Sequence, residues 1–133
     1  MSNPTTPTPA QVLAMMTQKM GETLPDWPQL LLNLAPDLLV GTAMNSAGSV
    51  GRDASSIPAK YRSLIAVAAA LGRGQASCAR SQAYMARQAG ATAEEVLDTV
   101  RIARHLAASG ILDAATPLLG DLGGTPTPNE PAR

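Results

Sequence analysis

Two stretches decide the fold of this chain: Lys60-Tyr61-Arg62-Ser63-Leu64-Ile65-Ala66-Val67 and Gly90-Ala91-Thr92-Ala93-Glu94-Glu95-Val96-Leu97. In the second, Thr92-Ala93-Glu94-Glu95 is a capping box. The Thr92 hydroxyl accepts from the Glu95 amide, while the Glu95 carboxylate reaches back to the amide of Thr92. Val96, Leu97, Val100, Ile102, Ala103 and Leu106 then recur at helical spacing up to Ser109-Gly110. The first stretch predicts a helix from Pro58 to Leu71, capped by Ser56 and closed by Gly72 and Gly74. Leu64, Ile65, Val67, Ala68 and Leu71 leave it apolar almost all round, which reads as a central buried helix. Between the two stretches a further helix begins near Ala76 and ends at Gly90.

Outward from this centre the pattern stays helical. Thr8 can cap a first helix with Pro9 at its first position and Gln11 three residues after the cap, followed by the apolar stripe Val12, Leu13, Met15, Met16 and Met20. Gly21 ends it. Trp27 to Leu34 and Asp37 to Ala47 predict two more helices, separated by a break at Pro36. Gly48 to Ser56 is a loop, and Ile111 to Leu119 a last helix whose end Pro117 loosens. With no alternating strand pattern, the expected fold is all-α, a domain of about six helices over residues 8–122. Residues 1–7 and 123–133, rich in Pro, Thr and Gly, bury too little to offset the entropy of ordering and are expected to be disordered tails.

The chain of 133 residues fits one domain. Ten Lys and Arg against ten Asp and Glu leave no net charge, so neither a nucleic acid nor a membrane surface is expected as partner. No uninterrupted apolar run has the length needed to span a bilayer; even Leu30 to Val40 is broken by Asn33, Pro36 and Asp37. The N-terminal residues lack the basic and apolar regions of a signal peptide, and one cysteine cannot form an internal disulfide; both point to the cytoplasm. There is no Phe, and Trp27, Tyr61 and Tyr84 are the only aromatics. A core of small side chains must gather its burial energy, about 25 cal/mol per Å², from many thin contacts, so a lone protomer is expected to be marginal.

Taken with Cys78 between them, the two opening stretches resemble the carboxymuconolactone decarboxylase family, which includes the alkylhydroperoxidase D branch. The resemblance implies an alkylhydroperoxidase D-like helical domain assembled as a homo-oligomer, a trimer or hexamer. The peroxidase branch carries a glutamate on one helix and Cys-x-x-Cys-x-x-x-His at the start of the next. Laid on this sequence, that pattern falls on Ser63, Gln75, Cys78 and Gln82, so only the second cysteine is present. The lactone decarboxylase branch commonly reads Arg-Ser-Leu and then Arg-Ser-His; here stand Arg62-Ser63-Leu64 and Arg80-Ser81-Gln82. A disulfide cycle needs two sulfurs. A proton relay needs groups that titrate near neutral pH, which serine and glutamine do not.

Cys78 is the only candidate catalytic nucleophile, in the first turn of its helix where the dipole favours negative charge; the plainer alternative is a small buried apolar residue. Gln75, Cys78 and Gln82 fall at i, i+3 and i+7, one helix face, and with Ser63 they form a candidate pocket for a small polar ligand. The equal alternative is that these amides satisfy one another or water at an interface between protomers. His105 is a further candidate binding residue, approaching Cys78 across packed helices, or else a cation placed at a helix C-terminus. One His and one Cys fall short of a zinc site, and Met15, Met16 and Met20 read as packing, so no metal and no cofactor is expected. Three functions stand open. The first is a non-catalytic or weakly active oligomeric binding and assembly module. The second is a one-cysteine thiol peroxidase, an antioxidant oxidoreductase acting through Cys78. The third is a lactone decarboxylase with an altered site.

Overall fold

The computed structural model describes residues 5–124, which form seven α-helices and one 3-10 turn, with no strand among the described residues. They are α1 (Pro9–Met20), the turn Gly21–Thr23, α2 (Trp27–Leu34), α3 (Pro36–Ala47), α4 (Ala59–Gly72), α5 (Ala76–Gln88), α6 (Ala93–Ala114) and α7 (Thr116–Leu122). The all-α expectation holds. The expected tails lie largely outside the described residues. No described helix is long and apolar enough to cross a membrane.

Both predicted capping boxes are present. Thr8 N donates to Gln11 Oε1 at 2.8 Å and Gln11 N to Thr8 Oγ1 at 3.3 Å; Thr92 N donates to Glu95 Oε2 at 2.8 Å and Glu95 N to Thr92 Oγ1 at 3.1 Å. Gly21 ends α1 at φ +52, a conformation that favours glycine, and a Cβ there would meet the Tyr84 hydroxyl at 3.0 Å. Helices α4 and α5 form a hairpin through Arg73–Gln75, closed by Gln75 N donating to Ala70 O at 2.9 Å. The first half of α6 lies across α4. Leu64, Ala86 and Ala91 make the core of this unit, with Val96 packed against them. Helices α1 to α3 form a second layer around the fully buried Val12 and Leu39. It joins the first through Ser81, whose Oγ donates to Thr23 O at 2.8 Å in a buried position.

Four sequence expectations are corrected. Ser56 does not cap α4: the preceding residue is Pro58, with no side-chain cap, while Ser55 Oγ accepts from Ile57 N at 3.2 Å. Helix α4 is not buried all round, since Ile65 is 56% exposed and Tyr61 and Leu71 are also open. Its apolar circumference exceeds what its own chain covers. The break after α6 falls at Ala115, not at Ser109-Gly110, because a single helical glycine costs only about 1 kcal/mol and is tolerated. Pro117 therefore stands in the first turn of α7, where a missing N–H is harmless, and does not loosen a helix end.

Candidate functional site in the hairpin of α4 and α5

Ala79, Gln82 and Ala86 recur at three and four residues along α5, and all are buried. Since Ala86 packs with Leu64 of α4, this is the face that meets α4. On α4 the buried row is Ser63, Val67 and Ala70. In a helical hairpin with Leu64 against Ala86, Gln82 comes to the level of Val67, and Ser63 lies about one turn further from the connecting loop. A serine side chain is too short to span that offset, and no hydrogen bond joins the two. Gln82 is 7% exposed, and its Oε1 is enclosed with no hydrogen-bond partner.

The other candidates lie elsewhere on the hairpin or beyond it. Gln75 is the N-cap residue of α5, exposed, and its side chain makes no capping bond. Cys78 is in the first turn of α5 and exposed, so the alternative of a small buried residue fails for this chain. The row Gln75, Cys78, Gln82 thus runs from solvent into the helix interface: its outer two members are open and its inner one is enclosed. His105 is exposed on α6 and makes no hydrogen bond with Cys78. It stands nine residues before Ala114, the end of α6, beyond reach of the helix-terminal dipole, so helix-end stabilisation does not account for it. Among the described residues no three His, Cys, Asp or Glu side chains gather as a metal site would require.

The charged groups whose proton affinity is shifted are tied into the scaffold, each held more firmly in its charged form. Glu95 is held below the usual carboxylate range, first by the Thr92 backbone N–H and then by the Lys60 ammonium; Lys60 is raised, chiefly by its hydrogen bond to Glu95 at 2.9 Å. Arg101 is raised by its hydrogen bonds to Glu94 and Asp98. None of these ion pairs includes a residue of the α5 row.

Three contributions escaped the sequence reading. Ser81 ties α5 to the turn after α1 through a carbonyl 58 residues away, a distance no periodicity reveals. Lys60 joins α4 to the capping box of α6. Arg62 donates through Nε to Val50 O at 2.9 Å and through Nη1 to Ile57 O at 2.5 Å, pinning the Gly48–Ser56 loop onto α4. Beside Arg62, between Val50, Ile57 and Ile65, is an open cavity of about 280 Å³ that neither Cys78 nor Gln82 lines.

Residues 38–120, from the first turn of α3 into α7, match the model of the carboxymuconolactone decarboxylase family, and the match includes the whole hairpin. No curated protein matches the chain. With more than half of its length matched and an all-helical fold that agrees, this chain belongs to the carboxymuconolactone decarboxylase family.

Proposed function

We propose that the chain is a non-redox member of its family, a small oligomeric binding module of the cytoplasm. Its ligand is a small polar molecule taken on the row of α5 that runs from Gln75, at the loop connecting α4 to α5, inward to Gln82. The observation that carries this reading is the enclosed Gln82 Oε1, an acceptor with no donor. Leaving such a group unpaired costs about 1–3 kcal/mol, which an N–H or O–H from a ligand or an ordered water offsets. Gln75 at the exposed rim and Ser63 deeper in the interface supply further neutral hydrogen-bonding groups. The site contains no second thiol for a disulfide cycle, and no acid or imidazole is bonded to Cys78.

Two measurements test this. Purified protein with a thiol reductant and either hydrogen peroxide or an alkyl hydroperoxide should consume no more peroxide than a heat-denatured control. A ligand-detected NMR screen of small alcohols and amides should return binders that Cys78→Ala retains and Gln82→Leu loses. Sustained peroxide turnover abolished by Cys78→Ala overturns the proposal.

A second reading, the one-cysteine thiol peroxidase, draws on one observation: Cys78 is exposed in the first turn of α5. In it the thiolate sulfur attacks a peroxide oxygen, an S–O bond forms, the O–O bond breaks, and the alcohol or water leaves with a proton. Sulfur is oxidised to the sulfenic acid, and an external thiol reduces it through a mixed disulfide. Sulfenic acid trapping at neutral pH faster than for free cysteine supports this reading, and trapping no faster removes it. Lactone decarboxylation lacks the proton-transferring imidazole at position 82, and carboxymuconolactone should pass through unchanged.

A further inference from the structure

The cavity between α4 and the loop that precedes it lies apart from the α5 row and offers a different chemistry. Its walls are apolar, formed by Val50, Ile57, Ile65 and Ala66, and its charge is that of Arg62. The guanidinium spends its Nε–H on Val50 O and one Nη1–H on Ile57 O. The second Nη1–H and both hydrogens of Nη2 have no partner among the described residues, and Arg62 forms no ion pair with any of them. The Ser55 hydroxyl, also on the lining, accepts from Ile57 N and donates to no described group, whereas Ser49 has its proton on Asn45 O. The capacity left over is almost all donor, and it is cationic.

Arg62 is half-buried, so its charge is partly stripped of water with no carboxylate to offset the loss. The field around it is positive as well: from Leu38 to Ala93 the only acid is Asp53, against Arg52, Lys60, Arg62, Arg73, Arg80 and Arg87. Asp53 stands in the same loop and forms no ion pair. The two carbonyl bonds hold the guanidinium in place before any ligand arrives, so little side-chain freedom is left to lose on binding. At about 30 Å³ for each water-sized group, the cavity's 280 Å³ takes roughly nine of them.

We propose that this cavity is a second binding site, for a short-chain aliphatic carboxylate. The carboxylate accepts from Nη1 and Nη2 of Arg62, a charge-assisted fork, and from the Ser55 hydroxyl. The alkyl chain lies on Val50, Ile57, Ile65 and Ala66 and takes their surface out of water. An acid of about six carbons and two oxygens matches the volume. An alcohol of the same length leaves the guanidinium unmatched, and an alkylammonium is repelled by it. This site shares no lining residue with the neutral row that ends at Gln82, and the proposal does not rest on the reading given for that row.

The experiment titrates the full nitrogen-15-labelled chain with hexanoate and follows the backbone amides by NMR. Ser49, Val50, Ser55, Ile57 and Arg62 should shift together with a Kd of about 1 mM, the scale for so small a ligand, while Gln75 to Gln82 stay in place. Hexanol should bind at least about tenfold more weakly, and hexylamine should not bind. Arg62→Gln, which keeps an amide donor and removes the charge, should weaken hexanoate by about tenfold or more. Because Arg62 also ties the loop, Ile65→Glu supplies an independent arm: it puts a carboxylate on an open wall, 56% exposed, and should abolish hexanoate binding at an unchanged melting temperature. If Arg62→Gln unfolds, Ile65→Glu and the hexanol comparison decide. No shift at these amides up to about 20 mM hexanoate overturns the proposal, as does hexanol binding as tightly as hexanoate or Ile65→Glu binding like the wild type. Gln82→Leu should leave the hexanoate titration unchanged, so this site and the α5 row can fail separately.

Discussion

The hairpin of α4 and α5 and the arm of α6 and α7 are both helical and both apolar, yet they stand in opposite relations to the chain that builds them. In the hairpin Leu64 meets Ala86 and Ala91 and Ser81 meets the Thr23 carbonyl, and among the described residues Gln82 Oε1 alone is enclosed without a donor. In the arm, Ile102, Leu106, Ile111, Leu112, Leu118 and Leu122 are each more than half exposed, and α7 packs only on α6. The difference teaches that apolar periodicity reports a need for burial without saying which molecule meets it. The small residues Ala79 and Ala86 let α5 approach α4 closely, and the larger Leu and Ile of the arm remain more than half exposed.

Substitution inside the core should break the comparison most sharply. Leu64→Ala removes the largest side chain of the central cluster and should cost about 3 kcal/mol, read by urea denaturation. Leu122→Ala should cost less than about 0.5 kcal/mol. Equal losses would erase the distinction between hairpin and arm.

A smaller effect, of opposite sign, is expected within the hairpin. Gln82→Met keeps a side chain of similar length and removes the acceptor that has no donor. In ligand-free protein it should raise stability by about 1 kcal/mol. A loss of similar size would mean that the amide finds a donor, such as an ordered water, and contributes to the hairpin.

How much of this was legible in the sequence follows from the range over which each signal acts. The caps at Thr8 and Thr92 and the stop at Gly21 depend on residues three or four apart, and each is found where the pattern put it. The helical ends at Ser56 and Gly110 were misread because glycine and serine permit a boundary without requiring one. The outer face of α4 was misread because Ile65 carries the same apolar signal whether its neighbour belongs to the same chain or to another. The row Gln75, Cys78, Gln82 was visible as one face of α5, but its gradient from open to enclosed was not, since that depends on where α4 ends across the hairpin. Ser81 was invisible as a tie because a backbone carbonyl has no residue type to betray it.

Helix α6 contains the boundary between the two regions, and its cap tests whether they are separable. Thr92→Ala removes the hydroxyl that accepts from Glu95 N and should cost about 1 kcal/mol. Hydrogen exchange should speed most over the first two turns of α6. Exchange that speeds equally through Ala114 would show that α6 responds as one rigid rod, with no boundary between its packed half and the arm.

The smallest expected effect is the pH response of the one ion pair that links α4 to α6. Glu95 is lowered when folded, first by the Thr92 backbone N–H and then by Lys60, so its contribution is complete above the carboxylate's unfolded value. That contribution is lost as pH falls through the usual carboxylate range toward the lower folded value. Lys60 is raised when folded, so its contribution is complete below the unfolded lysine value and is lost as pH rises through the higher folded one. Both are therefore intact from weakly acidic through neutral to mildly alkaline pH. Both side chains are partly exposed, which keeps the pair sensitive to salt. Glu95→Gln should flatten the acid limb of a melting-temperature profile, and Lys60→Met the alkaline limb. Because this pair joins the packed half of α6 to α4, faster hydrogen exchange across the arm after either substitution would show that the hairpin and the arm are coupled through the helix they share.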